Sequence, residues 1–431
     1  MLRHGLGRAV LFLRNEPDPV PHRAIICLAC LEDWRHDRQT EQERALYLLD
    51  VIHATRETGY YIEFVQDALN TIATPREGEG TSRSQLISLA ALLTKQGDGD
   101  LRDALYQSVG RIAAEPDGDD IFTDARHAII AMDGIVGYQF LAEQRVRISD
   151  ADEERWEDIF LLDELREQIG DQATEDALGT LARDAPHLSA YIAAVREVRD
   201  ENERSAKAAR EGGKVARNVA PTDEEIRSYI EGTQTVKPRM RHADAATRER
   251  LAQELGEETA RERQLRYVRL LRSPDRLPFP GDPEILLQLI HQTENDPLAW
   301  FAALALEYTT HPALRSTALA FLQTEDRLIH GIRMLPFNPG AEDIALLTDL
   351  LARNWDEYLF HSFGISVLHY VERHADPELI PILLRCYEMM ACGVCRRSIV
   401  RELLKRNALP PRLRAECRYD ANPDTRELVA P

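Results

Sequence analysis

Four short motifs in the C-terminal half of the chain place a proline at the start of an apolar run with helical spacing. They are Asp282-Pro283, Asp296-Pro297, His311-Pro312 and Asp376-Pro377. Aspartate before proline is typical of a helix start, because the carboxylate accepts hydrogen bonds from the first turn and proline has no N–H to leave unpaired. The first three prolines lie 14 and 15 residues apart. Short helices that follow one another at this spacing are typical of a stacked helical repeat.

Composition favours helices throughout the chain. Apolar residues make up 44% of the 431 residues, aromatic residues make up 6%, and leucine and alanine dominate. We find no extended alternation of polar and β-branched residues, which is the pattern that predicts a strand. The sequence therefore predicts an all-α fold, an α-solenoid of antiparallel helix pairs whose stacking buries apolar stripes that no single pair could bury.

The helical pattern predicts two repeat segments joined by a connector. The segments are residues 1–211 and 244–431, and the connector, 212–243, holds glycines and prolines around one short helix near 223–231. Predicted helices in the first segment cover 3–14, 20–33, 40–55, 59–74, 81–97, 99–114, 121–145, 152–170 and 173–211. The second segment is predicted to begin with one long charged helix over 244–273.

Capping residues predict two helix starts in the first segment. Thr40 and Glu43 have the spacing of a capping box, in which each side chain accepts from the backbone of the other residue. Thr81 or Ser82 is predicted to cap the helix that ends near Gly97.

The run from Asp282 to Asn407 resembles HEAT or armadillo repeats, with Ala/Leu-rich helices such as Pro297–Leu306. More broadly, the whole chain resembles uncharacterised bacterial HEAT-type proteins. The resemblance implies a fold of stacked helix pairs and a role in binding other macromolecules along a curved surface. A few similar arrays bind DNA and act on damaged bases. The irregular stretch 212–243 departs from a regular array, which puts one continuous superhelix in doubt.

The chain is strongly acidic, with a net charge of −20. Residues 101–200 hold 23 acidic residues against ten arginines and no lysine, so this stretch is either a solvated acidic face or a surface for a basic partner. Binding of nucleic acid over the whole surface is excluded by repulsion of phosphates, although a local basic face is not. The longest apolar run, Leu298–Leu306, is far shorter than the ~20 residues that span a bilayer. We expect a cytoplasmic protein without a membrane segment.

Four cysteines near the C-terminus are a candidate metal site. Cys392 and Cys395 form a Cys-x2-Cys pair, which could supply two zinc ligands, and Cys417, Cys386 or His374 could complete the set. The alternative is structural: Gly393 suits a helix end, and cysteine packs well as a small buried residue. A redox role for the pair is the third possibility.

Residues 385–418 hold nine basic residues against three glutamates. The candidates for partner binding are Arg396, Arg397, Arg401, Lys405 and Arg406. Positions 397, 401 and 405 share one helical face, which could contact phosphate or an acidic protein. The alternative is a solvated face at the polar end of a repeat array.

A second basic row lies on the predicted helix 244–273. Its members are Arg263, Arg266, Arg269 and Arg272. The pairs Glu257–Arg261 and Glu262–Arg266 are spaced i,i+4, which stabilises an exposed helix. The sequence therefore predicts a solvated face.

No catalytic motif is visible in the sequence, so we expect a protein that is not an enzyme and that needs no cofactor apart from the possible zinc. The leading hypothesis is a scaffold that binds another protein through the helical-repeat surface. The alternatives are a nucleic-acid-binding protein that uses the C-terminal arginine face and a zinc or redox role at the cysteines.

Overall fold

The computed structural model describes residues 1–72, 83–95, 97–115, 120–148, 157–217, 220–272, 277–292 and 296–430, apart from the side chains of 210–217 and 292. These residues form 24 α-helices, three short 3-10 helices and no β-strand. The predicted all-α fold is confirmed. None of the described helices has both the length and the apolar content that a membrane-spanning segment requires.

Contacts divide the chain into two compact units. Unit 1 comprises Met1–Ala208, Ala391–Val400 and Leu409–Pro431, and unit 2 comprises Ala209–Met390 and Arg401–Ala408. The sequence prediction instead placed all residues after 243 in one C-terminal domain.

The helices are numbered in chain order. The first eleven are α1 Arg8–Asn15, α2 Arg23–Leu31, α3 Ala45–Thr55, α4 Thr58–Thr71, α5 Arg83–Thr94, α6 Gly99–Ala113, α7 Ile121–Asp133, α8 Ile135–Ile148, α9 Ile159–Ile169, α10 Asp171–Asp184 and α11 Pro186–Arg217. The next ten are α12 Asp223–Glu231, α13 Ala245–Glu257, α14 Arg261–Leu271, α15 Pro283–Gln292, α16 Pro297–Leu306, α17 Pro312–Phe321, α18 Leu328–Met334, α19 Asp343–Leu351, α20 Glu357–Arg373 and α21 Leu379–Met389. The last three are α22 Gly393–Lys405, α23 Pro411–Cys417 and α24 Pro423–Leu428, and the 3-10 helices are Val20–His22, Met240–His242 and Leu335–Phe337.

Unit 1 is built from two rows of alternate helices. In one row α1 packs on α3, α3 on α5, α5 on α7 and α7 on α9, while in the other α2 packs on α4, α4 on α6, α6 on α8 and α8 on α10. Helices of the two rows also contact one another, as α5 contacts α6 and α7 contacts α8. Their apolar stripes form one continuous core, as expected when a helix cannot bury its stripe alone.

Unit 2 contains a corresponding row of alternate helices. Helix α12 packs on α14, α14 on α16, α16 on α18 and α18 on α20. Helices α13, α15 and α17 each pack on the next helix of this row. This arrangement places α14, α16 and α18 side by side. In repeats of this kind, about 30 residues of sequence separate one helix of the row from the next helix of the same row.

Most of the predicted N-terminal helices are confirmed. Three ranges that the sequence predicts as single helices, one of them in the second segment, each form two helices in the structure. The predicted helix 121–145 is divided at Gly134, whose φ of 55° lies in a region that favours glycine. The predicted helix 173–211 is divided before Pro186, which begins α11. The predicted helix 244–273 is divided at 258–260, where the Glu258 carboxylate accepts the Ala260 N–H at 2.7 Å.

The helix-start motifs of unit 2 lie where the sequence predicts them, with one shift. Helices α15, α16 and α17 begin at the prolines of the first three motifs, and the carboxylate of Asp296 accepts the Leu298 N–H at 2.7 Å. Helix α21 begins two residues after Pro377. The short helix predicted in the connector is α12, and α11 continues to Arg217, beyond its predicted end.

The predicted Thr40–Glu43 capping box is wrong, because α3 begins only at Ala45 and the Thr40 hydroxyl donates to Asp37. A capping box is instead present at α12, between Thr222 and Glu225. The predicted cap at Thr81 or Ser82 lies outside the described residues.

Unit 1 brings the two ends of the chain together. The Ala421 N–H donates to the Gly5 carbonyl at 2.8 Å, and Arg8 pairs with Glu416 at 3.0 Å. The contact is close, since a Cβ on Gly7 would lie 2.0 Å from the Glu416 carbonyl oxygen. These bonds explain why the segment after Ala408 belongs to unit 1, although helices of unit 2 precede it in the sequence.

A buried ion pair lies within this C-terminal part of unit 1. Arg396 and Asp420 are both fully buried, and the guanidinium donates twice to the carboxylate at 3.1 Å. A third N–H of Arg396 donates to the Ala391 carbonyl at 2.7 Å. Arg396 is therefore a structural residue, and the sequence prediction that placed it on an exposed binding face does not fit its position.

We predict that Asp420→Ala lowers the free energy of unfolding of unit 1 by about 3–5 kcal/mol, because it leaves a buried arginine without its counter-ion. Asp424→Ala is the matched control. Asp424 pairs with Arg397, which follows Arg396 on α22, but both of these side chains are partly exposed. The loss should therefore be about 1 kcal/mol or less. Urea unfolding of the two variants measures the difference. Equal losses would contradict the structural role of the buried pair.

Candidate functional site

The predicted C-terminal basic face is largely occupied by contacts within the protein. Arg397 pairs with Asp424, and Arg406 pairs with Glu402 at 2.8 Å and also donates to the Val371 carbonyl. These two arginines therefore hold neighbouring segments together.

Two of the five predicted partner-binding residues remain accessible. Lys405 is largely exposed and lies 3.4 Å from Glu402. Arg401 is exposed and makes no ion pair with the described part of the chain. Arg401 and Lys405 form a much smaller basic surface than the five residues that the sequence suggested. Their role in binding a partner stays a prediction.

The candidate metal ligands are mostly buried. Cys386 belongs to unit 2, whereas Cys392, Cys395 and Cys417 belong to unit 1, and Cys395 alone of the four is partly accessible. Cys392 and Cys395 form a hydrogen bond, which together with burial raises the pKa of Cys395. A thiol must lose its proton before it ligates a metal, so the raised pKa of Cys395 opposes metal binding at this residue. The zinc and redox roles stay predictions.

The arginine row predicted on 244–273 separates into two different pairs. Arg263 and Arg266 face carboxylates, at 2.6 Å from Glu258 and 3.1 Å from Glu262. The predicted Glu257–Arg261 pair is not formed along one helix, because α13 ends at Glu257 and α14 begins at Arg261. This first pair is the solvated, charge-balanced face that the sequence predicted.

Arg269 and Arg272, one and two turns further on, lie against aromatic rings instead. The guanidinium of Arg269 lies 4.7 Å from the centre of the Phe301 ring, and that of Arg272 lies 5.8 Å from the ring centres of both Phe301 and Trp300. Neither arginine has a carboxylate partner within 4.0 Å among the described residues, and the buried Nε of Arg269 has no hydrogen-bond partner there.

Lys237 lies close to these two arginines. Partial burial lowers the pKa of Lys237, and the positive charges of Arg272 and Arg269 lower it further. Three cations are thus gathered here, and two of them, Arg269 and Arg272, lie over aromatic rings. We call Lys237, Arg269, Arg272, Trp300 and Phe301 the aromatic–basic face of unit 2.

Helix α16 contributes the aromatic part of this face. Its residues from Ala302 to Leu306 are all buried, as expected for a helix that is apolar on every side. Trp300 is the exception, since 46% of its surface is exposed. An indole ring that is nearly half exposed, on a helix whose side chains are mostly buried, offers its accessible part to a ligand.

A pocket of about 430 Å³ opens beside Trp300. It is formed by α15, α16, α17 and the start of α18, and it is lined by Ile290, Asp296, Pro297, Ala299, Trp300, Ala303, Phe321, Asp326, Arg327 and His330. Phe321 and Trp300 are its aromatic walls, and Arg327 lies 5.4 Å from the centre of the Phe321 ring. The pocket combines flat apolar walls with a few charged groups, which is the usual character of a ligand site.

His330 lies in the wall of this pocket and is only 8% exposed. Its ring meets Trp300 edge-on, with 6.1 Å between ring centres. Burial lowers the pKa of His330 to about 4, helped by the positive charges of Arg333 and Arg327, so the ring is neutral near pH 7. Its Nδ1 is buried without a hydrogen-bond partner in the part of the chain that the structure describes.

Sequence reasoning singled out Arg269 and Arg272 but assigned them to a solvated face, and it gave no role to Trp300 or His330. The row of α14, α16 and α18 brings these residues together from positions far apart in the chain. The one available signal was Trp300, the single large aromatic side chain with a polar edge in the apolar run Leu298–Leu306.

No protein-family model, curated protein or solved structure matches this chain. Membership of the HEAT and armadillo repeat proteins therefore stays a prediction from the sequence pattern.

We predict that His330 makes unit 2 less stable as the pH falls from about 6.5 to about 4. The folded state lowers the pKa of His330 from 6.5 to about 4, so between these values the unfolded chain binds a proton that the folded chain does not, and stability is lost. The loss should reach roughly 3 kcal/mol. His330→Gln removes the titration, so the difference in free energy of unfolding between the two proteins should change over this pH range. A constant difference would contradict the lowered pKa.

Proposed function

We propose that this protein is a non-enzymatic binding protein of the HEAT or armadillo type and that unit 2 binds single-stranded nucleic acid on its aromatic–basic face. The observation that supports the proposal is the position of Arg269 and Arg272. Both lie on aromatic rings, and neither has a carboxylate partner within 4.0 Å among the residues described. An arginine stacked on a ring keeps its N–H groups available for a phosphate.

The geometry favours a single strand over a duplex. Trp300 exposes an open ring beside the arginines, and stacking on such a ring requires a base that is not already stacked in a helix. Each stacked base contributes about 1–3 kcal/mol in proteins that bind single strands. A duplex would leave Trp300 without a base to contact.

The net charge of −20 does not prevent local binding. Ionic screening limits the reach of exposed charges to about 8 Å at physiological salt. Phosphates at Arg269 and Arg272 would therefore respond mainly to the local charges. These are the cations of this face, including Lys237, and the partly buried carboxylate of Glu307, which pairs with Arg333 and also interacts with Arg272. The rest of the acidic surface would slow the approach of a strand and restrict it to this face.

This proposal moves the nucleic-acid site away from the C-terminal residues that the sequence suggested. Arg401 and Lys405 are too few to hold a strand by charge alone, and neither lies over an aromatic ring in the part of the chain that the structure describes. Binding of a protein partner stays a prediction from the repeat pattern, and an acidic peptide is its most direct test.

The proposal predicts that the full chain binds a fluorescent oligothymidylate and that binding weakens as salt rises. Three phosphate contacts, at Lys237, Arg269 and Arg272, give a slope of about −2 in a plot of log K against log salt concentration. Arg272→Gln should weaken binding at low salt and make the slope shallower by about 0.7. Fluorescence anisotropy over a salt series measures both quantities.

The matched control is Arg401→Gln, which removes an exposed arginine of unit 2 that lies outside the face. It should leave affinity and slope unchanged. No binding at low salt would contradict the proposal. Equal binding of poly-glutamate of the same charge would favour an acidic protein partner instead.

A further inference from the structure

We infer that the pocket beside Trp300 takes one unstacked nucleobase of the bound strand. This inference rests on the proposed function and assigns a distinct role to the pocket. The aromatic–basic face holds the strand by its phosphates, while the pocket holds a base that stacks on Trp300 and reaches His330 with its edge. The two parts are adjacent, because Arg272 lies 5.8 Å from the centre of the Trp300 ring.

The size of the pocket suits this occupant. Its volume of about 430 Å³ falls in the range of about 300–1,000 Å³ that is usual for sites of small organic ligands. A base with part of its sugar fits this space, whereas a folded peptide element such as a helix does not.

Its walls match the two faces of a base. Trp300 and Phe321 offer flat apolar rings, which stack on the π-face of any base. The edge of a base carries both donors and acceptors of hydrogen bonds, and the pocket also supplies both types: the carboxylate of Asp326 accepts, and the guanidinium of Arg327 donates.

His330 is the strongest single indication of a ligand. A buried polar atom without a hydrogen bond costs stability, and the Nδ1 of His330 is such an atom among the described residues. Its ring is more than nine-tenths buried and lines the pocket. A neutral imidazole has one donor and one acceptor nitrogen, so it can complete hydrogen bonds to a base edge without adding a charge.

The test compares two oligomers of equal length and charge: an oligothymidylate and an abasic oligomer that keeps every phosphate and lacks every base. The full chain should bind the oligothymidylate about tenfold more tightly, as expected for one stacked base. The Trp300→Ala variant should lose this difference and bind both oligomers as weakly as the wild-type chain binds the abasic oligomer. Because 46% of the Trp300 surface is exposed, the variant should remain folded, and a cooperative thermal unfolding transition checks this.

Two further variants separate the pocket from the phosphate contacts. Arg272→Gln should weaken binding of both oligomers by the same factor. His330→Gln should weaken binding of the oligothymidylate alone and leave the salt slope unchanged, which a general loss of structure would not do.

The outcomes distinguish this inference from the proposed function. If the wild-type chain binds both oligomers equally well, the strand is held by phosphates alone. The inference and the preference for a single strand then fail, while binding of nucleic acid to the aromatic–basic face stands. If neither oligomer binds, both fail. If thymidine monophosphate displaces the oligothymidylate at concentrations similar to those of the oligomer, the pocket serves a free nucleotide and the assignment to a strand is overturned.

Discussion

The packing of alternate helices decides which residues of this chain meet. A short helix rich in alanine and leucine cannot bury its apolar surface alone, so it packs against the next helix and also against the next but one. In unit 2 this packing places α14, α16 and α18 side by side. Arg272, Trp300 and His330, which are far apart in sequence, therefore lie next to one another. The aromatic–basic face and its pocket exist because of this packing.

Environment gives the same residue type different roles in the two units. Arg396 in unit 1 is fully buried and has a carboxylate and a carbonyl as partners, so its charge is used to fix the last segment of the chain. Arg272 in unit 2 is exposed and lies on aromatic rings, so its charge is not used in a buried ion pair. A count of arginines along the sequence cannot separate these cases, because the difference lies in the neighbours that the fold supplies.

Local patterns predicted the helices better than the site. Aspartate before proline located the starts of α15 and α16, because capping depends only on adjacent residues. The division of 244–273 was missed, since it depends on the Glu258 side chain accepting backbone N–H groups at a position with ordinary helical composition. The pocket was missed for a stronger reason: its walls come from four helices, and the burial of His330 is a property of their packing.

The central claim is that a single strand lies on the aromatic–basic face of unit 2, and photo-crosslinking tests it most directly. The full chain is irradiated with an oligomer that carries a photoreactive thymine analogue, and the linked peptides are identified by mass spectrometry. The account predicts crosslinks to Trp300 and to its neighbours on α16 and α18. Crosslinks confined to the peptide that holds Arg401 and Lys405, or spread over both units without preference, would contradict it.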